Sequence, residues 1–284
     1  MSEKSISNQP QSAPSLSETN AGMRMPVFDL LYNVGLSEYN SIRYFELETL
    51  FLSLNRLFTH YQRIVTSCLN KENSNRYLLE VDIESYIIRF RVILNDIAFI
   101  INQLLPNNIR GKKNPGGNVP DKDKEMSISN LMEFFEKHSK IDPQVFQEFF
   151  RMFALNKARI EVRKEERDKI LHYKNKILVI DYGSYYGFSF ISASGLGKII
   201  KTENGALKID AINVFEFTNS ETLFLINFIN VELYHAIYNY LNRTNRLPTK
   251  NLLGGAFIEL GGGLCLFKEL NKDLLQTPTT HSNF

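Results

Sequence analysis

The residue types in this chain that could do chemistry together fall within Arg163–Lys174, which reads R-K-E-E-R-D-K-I-L-H-Y-K. Arg167 and His172 stand five positions apart, with Asp168 directly after the arginine. An imidazole passes protons near neutral pH, and a guanidinium clamps a phosphoryl oxygen through paired N–H groups. Together they form a minimal kit for metal-free RNA cleavage. A base activates the 2′-hydroxyl for attack on the adjacent phosphorus, the guanidinium stabilises charge on the transferring phosphoryl, and an acid protonates the leaving 5′-oxygen. One imidazole serves poorly as base and acid at once. Two chains paired through this segment would supply two histidines and two arginines, which makes a homodimer attractive. Asp168, four residues before His172, is spaced to orient the ring.

These residues need a helix to place them. Asp142–Pro143 is a strong helix start, with a capping carboxylate followed by proline in the first turn. No glycine or proline follows until after Tyr173. At about 100° per residue, Phe146, Phe149, Phe150, Phe153 and Ile160 form one stripe, with Leu171 near its centre line. Arg167 falls on one side of that line, and Asp168 and His172 on the other. Between Arg151 and Lys176 nine basic residues face four acidic ones, a local excess in a chain whose net charge is only +2. A solvated helix face with pairs such as Glu165–Lys169 accounts for much of this. Arg163, Lys164, Lys169 and Lys174 are the expected contacts to an RNA backbone.

Two long helices precede this one. Leu47, Leu50, Phe51, Leu54, Leu57, Phe58, Tyr61, Ile64, Val65 and Cys68 make a 3.6-period stripe over 41–69, with Cys68 as a small core hydrophobe. Residues 76–105 are apolar on several sides, as in a helix central to a bundle or shared with a second subunit. The polar exceptions there are Glu80, Glu84, Arg89, Arg91 and Asp96, and either water or Arg167 could satisfy Glu84. Pro106 ends that helix, and 107–125 reads as an irregular loop carrying Arg110, Lys112 and Lys113. Residues 127–139 form a short amphipathic helix.

Past Asn175 the period changes to that of strands, at 176–182, 186–193, 197–202 and 206–217, with Asn204–Gly205 as the clearest hairpin turn. Ser194–Lys198 superficially resembles a phosphate loop. It lacks that motif's first glycine, has Ile199 in place of the magnesium-holding hydroxyl, and joins strands instead of opening a helix. Helix returns over 219–241, where His235 reads as a packing residue, and 252–267 reads as a glycine-split hairpin. The expected organisation is a disordered lead (1–24), a helical bundle (25–175, opening on a loop with one short helical piece), a small β meander (176–218), a further bundle helix (219–246), and a Gly-rich hairpin with tail (247–284).

Composition narrows the function classes. Cys68 and Cys265 have no companion pattern, so no structural zinc site is expected, and no cofactor motif is present. Catalytic signatures of serine hydrolases, nucleotide-binding loops and zinc proteases are missing as well. The N-terminal stretch has no apolar signal core, and 87–105 is interrupted by Arg89, Arg91, Asn95, Asp96 and Asn102. A cytoplasmic location is the expectation.

Arg167-Asp168-x-x-x-His172, set in a charged helix after long amphipathic helices, resembles the signature of the HEPN superfamily. The resemblance covers about residues 41–175, together with the helix at 219–241. It implies a helical bundle that dimerises with the motif helices facing each other. It also implies a metal-independent endoribonuclease of a toxin–antitoxin, abortive-infection or other antiphage system, with an antitoxin or regulatory protein as a further partner. Arg167 takes the place of the family's arginine, Asp168 of its polar neighbour and His172 of its histidine. The strands at 176–217 and the Gly-rich end depart from a minimal bundle of that type and read as an insertion and an added hairpin. Two other readings stand beside the enzyme: a non-catalytic helical dimer binding RNA or a protein, and a structural protein whose charged helix is merely solvated.

Overall fold

The computed structural model describes residues 18–19, 22–37, 44–105, 113–114, 117–118, 127–139, 143–172, 175–191, 199–201, 207–209, 211–248, 257–259 and 262–272. Among the described residues it is mainly helical, with small antiparallel sheets, two of three strands and two of two. Helices α1 (Pro26–Ser37), α2 (Tyr44–Leu69), α3 (Arg76–Leu104), α4 (Ile128–His138) and α5 (Pro143–Leu171) come first. After the strands, α6 (Val214–Asn227) runs through a π-helical stretch, Phe228–Leu233, into α7 (Tyr234–Arg243), and α8 (Gly262–Leu270) ends the described chain.

The long helices are central because their apolar stripes face one another. α3 lies along α2, α4 and α5, and α5 also packs on α4 and α7. Phe135, Phe149 and Phe153 stack near the middle of this contact, with ring centroids 5.2 and 5.8 Å from Phe135. Cap residues set the helix starts. Asn75 accepts from the backbone N–H groups of Tyr77 and Leu78, and Ser127 from that of Asn130. The expected cap at Asp142 lies outside the described residues. Cys68 packs against the core, and burial pushes its thiol up to about 11, so it behaves as an apolar side chain. Among the described residues no helix is long and apolar enough to cross a membrane.

Among the described residues ten short strands occur: β1 (Glu18–Thr19), β2 (Gly22–Arg24), β3 (Lys113–Asn114), β4 (Gly117–Asn118), β5 (Lys176–Asp181), β6 (Tyr186–Ile191), β7 (Ile199–Lys201), β8 (Leu207–Ile209), β9 (Ile212–Asn213) and β10 (Phe257–Glu259). The main sheet has the order β5-β6-β9, with Lys176 opposite Ile191 and Asp181 opposite Tyr186. Its turn uses Gly183 at φ +84, where a side chain would be strained, and Gly187 leaves room for the Tyr182 ring, which a Cβ would meet at 2.7 Å. β5 is an edge strand whose Val179 N–H is satisfied by Glu80 of α3 at 3.0 Å. That bond moors the sheet to the bundle just after α5 ends.

Four expectations give way here. The run expected as strand to Phe217 turns into α6 at Val214, where Asn213 caps the helix through Glu216 N–H. The glycine-split hairpin at 252–267 is replaced by β10 followed by α8; Phe267 of that helix meets Phe58 and Tyr61 of α2 at 5.7 and 5.5 Å, and this packing outweighs the local glycine signal. The lead is not wholly unstructured: β2 pairs with both β1 and β10, and Met23 is buried. The loop over 25–40 is largely helix, as α1, because Val27, Phe28, Leu31 and Val34 bury one face. Within 107–125 only the hairpin β3–β4 is described, and the glycines of Ser194–Lys198 and the Asn204–Gly205 turn lie outside the described residues.

Candidate functional site

The last turns of α5 carry the site. Arg167 Nη1 donates to Asp168 Oδ1 at 2.9 Å and to His172 Nε2 at 3.0 Å. A guanidinium has no lone pair to offer, so in this contact His172 Nε2 is the acceptor, presenting the lone pair that a general base uses. His172 Nε2 lies 3.8 Å from Asp168 Oδ1, too far for a hydrogen bond. The link from Asp168 to the imidazole therefore runs through Arg167, and not directly as its spacing suggested.

Helix geometry explains the cluster. His172 N–H donates to Asp168 C=O at 2.9 Å, which completes the final turn and sets the imidazole beside the carboxylate one turn back. Asn175 N–H then returns to Lys169 C=O at 3.0 Å, and the chain leaves for β5. Cations are favoured at this end by the exposed carbonyls. The site is open: side-chain exposure is 63% at His172, 33% at Arg167 and 25% at Asp168. Leu171, expected near the centre of the buried stripe, is 44% exposed beside it, and Ile170 is buried in its stead.

The expected RNA contacts divide. Lys164 is exposed. Lys169 is half-buried, its Nζ 5.4 Å from the centre of the Phe190 ring. Lys174 lies outside the described residues. Arg163 is corrected: it is only 9% exposed, sits over the Phe217 ring, and meets Glu166 Oε2 at 2.5 Å and Glu221 Oε2 at 3.5 Å. It faces α6 and not the surface, because Glu221 supplies the partner a buried cation needs. The carboxylate that pairs with Arg167 is Asp168 and not Glu84.

Sequence reasoning passed over Arg91 on α3. It is 5% exposed, its Nη2 donates to Ser129 Oγ at 3.0 Å, and Asp168 and Arg167 are the charges that act on it. A charged residue inside an otherwise apolar helix was the available signal, but Arg89 shares it, and only the fold separates the two. Among the described residues no group of three metal-ligating side chains occurs.

The fold and site together define a mainly helical protein with an Arg–Asp–His cluster at the open end of a core helix. No family model, curated protein or solved structure matches the chain.

Proposed function

We propose that this protein is a metal-independent endoribonuclease of HEPN type, working as a homodimer in a toxin or antiphage defence role. The observation that carries the reading is the Arg167–His172 contact at 3.0 Å on an exposed helix end. A base and an anion-binding group so close can serve the same phosphodiester, the imidazole taking the 2′-hydroxyl proton while the guanidinium turns to the phosphoryl oxygens. The acid for the leaving 5′-oxygen is the second copy's imidazole. Exposed Leu171, next to His172, gives such a copy an apolar contact at the site. The defence role rests on the resemblance of the motif.

Substituting His172→Ala abolishes cleavage of single-stranded RNA and leaves the helical circular-dichroism signal intact. Full ribonuclease activity in that variant would refute the mechanism. Arg167's pairing within its own chain favours one second reading, a non-catalytic helical dimer that binds RNA or a partner protein. That reading predicts RNA binding by the wild type with no cleavage.

A further inference from the structure

The turn between β5 and β6 carries two stacked tyrosines. The rings of Tyr182 and Tyr185 lie 5.0 Å apart and within 19° of parallel, and the residues remain 37% and 38% exposed. The turn that holds them is fixed from several sides. Tyr182 N–H donates to Tyr185 C=O at 3.0 Å, and Gly183 N–H to Asp181 Oδ1 at 2.8 Å. The Tyr182 ring rests on Gly187, where a Cβ would come within 2.7 Å of it. From the bundle, Lys71 Nζ donates to Asp181 Oδ1 and to Gly183 C=O and lies 4.5 Å from the centre of the Tyr186 ring. Ser74 Oγ meets Tyr186 OH at 2.5 Å. Aromatic rings contribute most when their faces are covered, so a fixed turn that holds two of them stacked at the surface suits a planar ligand.

We propose that the Tyr182–Tyr185 pair is a stacking platform for a base of single-stranded RNA, a second contact on the strand held at Arg167 and His172. The inference rests on the RNA reading of that site. Position is the first argument for this occupant. β5 starts at Lys176, four residues past His172, and its six residues carry the chain about 20 Å to the tyrosines at roughly 3.3 Å each, a reach that a few nucleotides of single strand cover. Charge is the second. Exposed Lys176 stands where β5 leaves the site, and exposed Arg76 follows two residues after Ser74, so cations are available to phosphates at both ends. Asp181, next to Tyr182, is already paired with Lys71. Stacking needs only the π-face of a base, which a single strand can splay out and a duplex keeps covered. The platform thus favours unpaired RNA without reading its sequence.

The test measures binding of a short single-stranded RNA with 2′-O-methyl groups throughout, which cannot be cleaved, beside the same backbone without bases. Both are read by fluorescence anisotropy on the full chain. Tyr185→Ala is expected to weaken binding of the base-bearing strand about five- to tenfold, and Tyr185→Phe to keep it within about twofold. The abasic strand binds wild type and both variants alike. A second measurement needs no variant: 5-iodouracil in the strand, irradiated on the wild-type protein, cross-links to Tyr182 or Tyr185. Unchanged binding in folded Tyr185→Ala, an equal loss for the abasic strand, or cross-links confined to other residues would each overturn the platform. A loss of self-association in Tyr185→Ala with RNA affinity unchanged would also overturn it, making the pair a contact between copies. Because this RNA is not cleaved, the measurement is independent of turnover. A working platform without cleavage of ordinary RNA keeps this inference and removes the ribonuclease reading; flat binding with cleavage does the reverse.

Discussion

Arg163 and Arg167 lie one helical turn apart on α5, and their surroundings are opposite. Arg163 is sealed between α5 and α6, with Glu166 and Glu221 both within 3.5 Å and Arg159 held to Glu221 from the next turn at 2.7 Å. Its Nε and Nη1 lack aligned hydrogen bonds, so the cluster is held by charge and ring packing more than by bond geometry. Arg167 sits at the rim, shares one carboxylate oxygen and leans on an imidazole. The contrast separates scaffold from site. A guanidinium enclosed by one carboxylate of its own helix and one of the neighbouring helix is held in place, whereas one at an open helix end can exchange partners with a ligand.

Breaking the sealed cluster gives the largest effect. Glu221→Ala removes the carboxylate that Arg159 and Arg163 share, leaving Arg163 to Glu166 alone, and is expected to cost about 3 kcal/mol of stability, read as a lower urea midpoint; an unchanged midpoint would mean that the cluster is not structural. At the rim the balance inverts. Arg167→Ala is expected to lower RNA cleavage about 10²–10³-fold while the melting temperature moves by no more than about 2 °C.

A pH series sharpens the contrast further. Burial, reinforced by Glu221 and opposed by Arg163, pushes the Glu166 carboxyl up from 4.5 to about 7. The folded protein thus holds a proton there that the unfolded chain releases near pH 4.5. Its stabilising share is complete below that pH and is lost as pH rises through 7, on the order of 1–3 kcal/mol. Glu166→Gln should flatten stability across this window, and an unchanged slope would contradict the assignment. The smallest effect is expected at Lys164, exposed on the same helix. Lys164→Ala should weaken RNA binding evenly across sequences and reduce the salt slope by about 1.

The motif helix was legible because its signals are local: proline at the start, an apolar stripe, and no breaker until after Tyr173, against an observed span of Pro143–Leu171. Leu171 was misplaced for a reason that periodicity cannot see. Along the first half of α5 the buried face is Phe146, Phe149 and Phe153, while along the second it is Ile160, Arg163, Glu166 and Ile170. The buried positions drift around the helix, taking in the pairing with Glu221 of α6, and this carries two charged residues inside and leaves Leu171 out. Arg163 looked like a surface cation because its partner lies 58 positions away in sequence. Long-range pairing likewise hid β2–β10 and α8, whose glycines suggested a turn until Phe267 found α2. The Arg167–Asp168–His172 grouping was visible from spacing alone, but the direction of its hydrogen bonds and the burial of Arg91 required the fold.

The central claim is that one guanidinium and one imidazole, brought together at the end of α5, cleave RNA without a metal. Incubating the purified protein with RNA in EDTA and mapping the new ends tests it most directly. The account predicts 2′,3′-cyclic phosphates on the upstream fragments, produced at the same rate with and without chelator and lost in His172→Ala. Intact RNA, or cleavage that stops in EDTA, would contradict it.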